Sequence, residues 1–270
     1  RHFPRVESDF ARIEHWHSAL DPAGFWRVQA SDGTQHLYGK TLAARIADPE
    51  HPTHVAQWLL EESLNAHGEH IGYRYQAETD TRTFPHDSRA QRYLHSVYYG
   101  NVSAREKATP YLFKTDDFSR QAWHFHLVFD YGQRSAAFDQ VPTYAPTTDW
   151  AVRQDPFSRY AYGFEQRTLR LCRQILMFHA FPDEPGMGPD PVLVKRLLLE
   201  HHVGRNGLTQ LMATHEQAVD AHGTLSYQPP QEYLYQSVAL KLDSTRYRPF
   251  EALPGHGYQL LDLYGEGVPG

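Results

Sequence analysis

The chain has one cysteine, Cys172, so it can form no internal disulfide. That leaves the redox compartment open, because disulfides follow compartment and many secreted bacterial proteins dispense with them. Apolar runs are short, and none approaches the length of a membrane span. Blocks of Lys or Arg are missing and the net charge is −6 with His neutral, which excludes a broad electrostatic footprint for nucleic acid. There is no Gly-x-Ser-x-Gly elbow, no phosphate-cradling Gly loop and no Cys nucleophile in a reactive setting. The acid pairs Glu61-Glu62 and Asp116-Asp117 are adjacent, so on a strand they diverge and make poor acid–base partners. No signal peptide opens the chain. It starts at Arg1 and stops at Gly270 inside a motif-like stretch, as expected of a piece of a longer polypeptide.

What is present points to sheet. Aromatic residues make up 13%, with 17 Tyr and 14 Phe, and such side chains suit a pleated, half-buried surface. The length of 270 residues allows one large all-β domain or two small ones. Hydrophobic residues are 40% and the mean hydropathy is −0.63. The 18 His are expected mainly as surface and strand residues, but protonation of most of them near pH 6 would reverse the sign of the net charge.

Strand signals recur along the chain. From Phe10 to Thr41, period-2 alternation is broken by Asp21-Pro22-Ala23-Gly24 and by the hairpin signal Ser31-Asp32-Gly33-Thr34. Trp58 to Tyr75 repeats the plan around Asn65-Ala66-His67-Gly68, a weak internal repeat of strand, Asp/Asn-x-Gly turn and strand. The cleanest alternation is Trp123 to Tyr131: Trp123, Phe125, Leu127, Phe129 and Tyr131 form an apolar face, opposite His124, His126 and Asp130. Leu169 to Phe181 fits either a buried strand or a helix. Leu208, Leu211, Met212, His215 and Val219 lean towards a helical face. Segments 80–92, 133–150 and 182–191 are expected to be irregular.

Few residues carry a chemical signal. His124-x-His126 on a strand places two imidazoles on one face, the arrangement of some zinc hydrolases, and His15-x-His17 is a weaker copy. Asp130 lies roughly 13 Å beyond His126 at the usual strand rise, too far to share an ion. Asp155-Pro156-Phe157-Ser158-Arg159-Tyr160 is expected to be an irregular loop anchored by its two aromatic rings. Cys172 is expected to be a small buried residue. Exposed Trp16, Trp26 and Trp58 would instead suit a carbohydrate-binding module.

Ordered strings spread over nearly the whole chain carry a resemblance. They include Phe10-Ala11-Arg12-Ile13-Glu14, Phe25-Trp26-Arg27-Val28, Ala44-Arg45-Ile46-Ala47-Asp48-Pro49 and Trp58-Leu59-Leu60-Glu61-Glu62. They continue with Tyr99-Gly100-Asn101, Val128-Phe129-Asp130-Tyr131-Gly132, Arg153-Gln154-Asp155-Pro156-Phe157-Ser158, Met177-Phe178-His179 and Pro229-Pro230-Gln231-Glu232-Tyr233. Together they resemble the SpvB-type domain of toxin-complex B subunits. The tail Asp262-Leu263-Tyr264-Gly265-Glu266-Gly267 resembles the start of the propeller-type (FG-GAP/VCBS-like) repeats that follow in that family. Tyr264 and Glu266 stand where calcium ligands would be needed, which argues against a bound cation there.

The resemblance implies a mainly β fold of antiparallel hairpins in a curved, Rhs-like shell sheet with little helix, so strand rather than helix near Leu208. It implies an SpvB-type region over 1–252 and the start of the propeller module over 253–270. It further implies a secreted, non-catalytic structural component, made in the bacterial cytoplasm, of a hollow β-shell that encapsulates and helps deliver a cytotoxic domain. The partners implied are a TcC-like Rhs-repeat subunit with its cargo and, through the propeller, a TcA-like pore-forming subunit. Neither nucleic acid nor direct membrane insertion is expected. In the Salmonella relative, ADP-ribosyltransferase activity belongs to a separate C-terminal domain. No catalytic, cofactor-binding or metal-binding residue carries over. The alternatives remain a zinc-dependent hydrolase using His124 and His126, or a carbohydrate-binding module.

Overall fold

In the computed structural model, the described residues are 2–3, 10–78, 82–83, 85–103, 122–185 and 188–236. The chain divides into two compact units, Arg1–Tyr233 and Leu234–Gly270. Almost all of the second unit, including the propeller-like tail, lies outside the described residues.

The strands are β1 (Arg12–Trp16), β2 (Phe25–Gln29), β3 (Gln35–Tyr38), β4 (Arg45–Ala47), β5 (Val55–Trp58), β6 (Leu60–Leu64), β7 (His70–Ala77), β8 (Arg82–Thr83) and β9 (His86–Asp87). They continue as β10 (Arg92–Asn101), β11 (Trp123–Asp130), β12 (Phe157–Arg159), β13 (Gln166–Thr168), β14 (Gln174–His179), β15 (Val192–Val203), β16 (Thr209–Val219), β17 (Leu225–Tyr227) and β18 (Gln231–Glu232). One 3-10 turn, Leu42–Ala44, is the helical element among the described residues. Twelve strands form one curved antiparallel sheet, ordered β1-β2-β3-β6-β7-β10-β11-β14-β15-β16-β17, with β18 also on β16. The segment that leans helical by pattern is β16. Its apolar residues pair across the sheet with β15, and that pairing overrides a weak local preference.

The turns explain why neighbours in sequence become neighbours in the sheet. Four hairpin loops, 30–34, 65–69, 204–208 and 220–224, share one design. The first residue's N–H donates to the fifth residue's carbonyl, and the fourth residue, a Gly, donates back to the first. Gly33, Gly68, Gly207 and Gly223 all have φ between +77° and +87°, a conformation costly for any residue with a Cβ. An Asp or Asn side chain closes each loop: Asp32 Oδ1 accepts from Thr34 N at 2.8 Å, and Asp220 Oδ1 from Thr224 N at 2.8 Å. Asn65 and Asn206 do the same for His67 and Leu208. The repeat seen twice in the sequence is thus used four times.

Curvature has a local cause as well. Register shifts place an extra residue in β6 (Glu61), β10 (His95), β15 (Val194) and β16 (Met212). Such bulges bend a strand and raise its twist. At Glu61 the bulge also aims a buried carboxylate at Thr41, whose N–H and hydroxyl donate to it at 2.9 and 2.6 Å.

Trp123 and Tyr131, at the two ends of the apolar stripe of β11, are buried, but the central cluster sits on the other face. Val128, Leu176, Phe178 and Leu193 form the buried cluster, with Tyr144 and Val219 packed against it. Val128 lies on the His126/Asp130 face of β11. Phe125, Leu127 and Phe129, on the more apolar face, are only half-buried.

Candidate functional site

The two faces of the central sheet define the surfaces this chain offers. On the covered face, the irregular segment 133–148 lies across β11, β14, β15 and β16 and is fastened by sheet side chains. Asp130, fully buried, accepts from Gln174 Nε2 at 2.9 Å, Arg134 Nη1 at 3.1 Å and Gln133 N at 3.2 Å. Arg134 reaches on to the Thr143 carbonyl at 2.9 Å. Arg196 Nη1 donates to the Ala137 and Gln140 carbonyls at 3.0 and 3.1 Å, and Gln217 Nε2 to the Phe138 carbonyl at 2.8 Å. Long polar side chains thus satisfy loop carbonyls that burial would otherwise leave orphaned. Beside this loop lies a groove of about 460 Å³ lined by Val141, Tyr144, Phe178, Leu193 and Val219.

The opposite face is aromatic and aliphatic. Phe125 stands between Tyr99 and His179, Leu127 between Val97 and Met177, and Phe129 beside Ile175. All are half-buried. Among the described residues the outermost strands of the sheet are β1, on which His2 makes a single bridge to Ile13, and on the other side β17 with β18. Edge strands offer backbone groups for further pairing.

The residues singled out for chemistry are committed elsewhere. His126 Nδ1 lies 2.8 Å from the Tyr144 hydroxyl and Nε2 lies 3.3 Å from the Trp123 carbonyl, so its ring helps hold the covering loop. Burial pushes its pKa below the ordinary histidine value. His124 stacks on Phe181 at 4.5 Å. His15 stacks on Trp26 at 4.6 Å and its Nε2 lies 2.8 Å from the Ala23 carbonyl. Trp26 and Trp58 meet edge to face at 81° and Trp16 stacks on Phe25, so the three rings form no coplanar platform. Cys172 is partly buried, and desolvation pushes its thiol up to about 12. It therefore stays protonated and unreactive near neutral pH.

The 155–160 segment departs from expectation. Phe157 and Tyr160 are exposed rather than anchoring, and Phe157–Arg159 forms β12, paired with β13. The anchor is Asp155, which accepts from Arg153 Nε at 2.9 Å, Thr209 Oγ1 at 2.6 Å and Thr209 N at 2.7 Å. The Arg153 guanidinium, followed by the Thr209 donors, holds its carboxyl well below the usual carboxylate range. Sequence reasoning overlooked this clamp because Thr209 is 54 residues away.

One cluster with metal-ligating atoms stands apart. In the loop between β4 and β5, ligand atoms of Asp48, His51 and His54 all lie within 4.8 Å of one another, and among the described residues this is the group of three or more that does so. The spacing Asp48-x-x-His51-x-x-His54 falls in a loop and not in a helix or strand. The loop's own fold brings them together.

Comparison with known proteins places the chain. The family model for SpvB, the Salmonella virulence plasmid 65 kDa B protein, matches residues 1–181. The mono(ADP-ribosyl)transferase SpvB of Salmonella typhimurium is 46% identical over 230 residues, 83% of this chain. The chain belongs to the SpvB family. It spans 38% of the length of that SpvB relative. The solved N-terminal domain of effector protein SpvB from Salmonella typhimurium superposes with a TM-score of 0.71 at 43% identity, over 81% of this chain and 68% of that one. The SpvB-type fold also recurs in the TcdB2–TccC3 crystal structure, with a TM-score of 0.77 at 38% identity over 98% of this chain and 13% of that one. A chain of the Photorhabdus luminescens Tc holotoxin pore gives 0.74 at 39% identity, over 86% and 11%.

Proposed function

We propose that this SpvB-family chain is a non-catalytic wall segment of a bacterial toxin complex, part of a hollow β-shell that encloses and helps deliver a cytotoxic domain. One observation carries the reading: a single curved twelve-stranded antiparallel sheet, covered on one face by its own loop and half-exposed and apolar on the other. A compact domain that left one face of such a sheet uncovered would be expected to make that face polar. A wall does not need to, because contents or neighbouring chain meet one side. Its short terminal strands suit continuation of the sheet into flanking chain. Similarity to a TcdB2–TccC3 chain over nearly the whole length supports the same role.

The partners in this reading are a TcC-like Rhs-repeat subunit with its cargo and, through a following propeller, a TcA-like pore-forming subunit. The setting is outside the producing cell. Among the described residues, no helix is long and apolar enough to cross a membrane. Although the curated relatives are named ADP-ribosyltransferases, the solved SpvB structure matched is an N-terminal domain, and we assign this chain no part in group transfer.

The test is co-expression of the full-length protein carrying this chain with its Rhs-repeat partner. A complex in which the partner's cargo resists protease until the shell is unfolded is the expected result. Cargo digested equally fast with and without this protein would overturn the reading.

A further inference from the structure

We propose that Asp48, His51 and His54 form a binding site for a divalent transition-metal ion of the zinc class. The three sit on the seven-residue loop 48–54 that closes the β4–β5 hairpin. Its backbone is fixed by Asp48 N donating to the His54 carbonyl at 3.1 Å, His51 N to the Asp48 carbonyl at 3.2 Å and His54 N to the His51 carbonyl at 2.8 Å. Pro49 and Pro52 remove freedom at two further positions. Two consecutive four-residue turns, 48–51 and 51–54, therefore bring every third side chain to one side of the loop.

The ligand atoms are close to the spacing an ion requires. His51 Nδ1 lies 3.0 Å from Asp48 Oδ2, and the His51 and His54 rings stack with centroids 5.3 Å apart at 23°. Tetrahedral zinc with bonds near 2.0–2.1 Å holds its ligands about 3.3 Å apart, so the present maximum of 4.8 Å closes with small side-chain rotations. Both rings are exposed and free to make them. Glu50 N donates to the other Asp48 oxygen, Oδ1, at 2.9 Å, which orients the carboxylate with Oδ2 towards His51. Such an outer hydrogen bond on a ligating carboxylate is typical of metal sites. Arg89 ties Glu50 to Asp87 and so links the loop to the end of β9.

Two imidazoles and one carboxylate select borderline ions such as Zn²⁺ over Ca²⁺ or Mg²⁺, which prefer oxygen-only shells. With three protein ligands, a fourth position is left for water or a donor from elsewhere. The ion staples the hairpin tip in its closed form. His124 and His126 take no part, since their rings are engaged by Phe181 and Tyr144.

The test uses the full untagged chain after chelator treatment, titrated with ZnCl₂ against a chromogenic competitor. One zinc per chain is expected, with affinity reduced at least about tenfold by His51→Ala, by His54→Ala and by Asp48→Asn, and unchanged by His67→Ala at the exposed tip of a different hairpin. Co²⁺ in place of zinc should give tetrahedral absorption bands in the wild-type chain, a readout that needs no variant to fold. An octahedral aqua-type Co²⁺ spectrum, or zinc binding that survives His51→Ala and His54→Ala, would overturn the assignment.

Discussion

The two faces of the central sheet, one residue apart on β11, differ in what they demand of the chain. Val128 and Asp130 point into a sealed layer in which long polar side chains bond the backbone of the covering loop. Leu127 and Phe129 point to a face left partly open. The sealed face combines the apolar cluster of Val128, Leu176, Phe178 and Leu193 with buried polar groups around Asp130 and Arg196, whereas the open face stays apolar but only half-buried around Phe125, Leu127 and Phe129. A surface that is both apolar and half-exposed is a surface prepared for something else. The polar layer exists because what covers the other side is irregular backbone, and irregular backbone needs donors.

The largest effect should come from breaking that polar layer. Asp130→Ala leaves Arg134 buried without its carboxylate and should cost about 3–5 kcal/mol, read from denaturant unfolding. Loss of protease resistance in 133–148 should accompany it. Next is the apolar part of the same face: Leu176→Ala, fully buried, should cost about 3 kcal/mol. Leu127→Ala, on the neighbouring strand but the open face, should cost about 1 kcal/mol or less. Equal losses at Leu176 and Leu127 would break the comparison between the faces. A turn control sharpens it: Gly223→Ala meets no atom within 4 Å, so its cost should be only the dihedral strain, about 1–2 kcal/mol.

The smallest effect per group is acid. Desolvation, the leading cause in each, pushes His95, His126, His179 and His201 below the ordinary histidine value. Above about pH 6.5 each is neutral both folded and unfolded and adds no pH dependence. As pH falls below that value the unfolded chain takes up protons that the folded chain refuses. Stability then drops until the depressed folded values are passed. The free energy of unfolding should therefore fall between pH 8 and pH 5, and His126→Gln should remove part of the slope. A flat profile would contradict it. These four sites also show that acid does not charge the sheet evenly, because burial makes them resist protonation.

Much of the fold was legible because its causes are local. The Asp32-Gly33 and Asn65-x-x-Gly68 signals predict hairpins, and the loops close on those same side chains. The alternation of Trp123–Tyr131 predicts β11 nearly to its ends. What misled was any inference needing knowledge of the other layer. The apolar stripe of β11 is present as read, but alternation alone does not say that 133–148 covers the opposite side. Phe157 and Tyr160 read as anchors, yet Asp155 does the anchoring through Thr209 on β16. His124 and His126 read as a pair, but different aromatic rings engage each.

By itself, then, the sequence determined a hairpin-built antiparallel sheet, because turn chemistry and side-chain alternation act within a few residues. Only the tertiary structure decided which face is sealed and where the sheet bends. Those outcomes depend on which backbone a side chain meets after the chain has doubled back, and no period along the chain encodes that meeting.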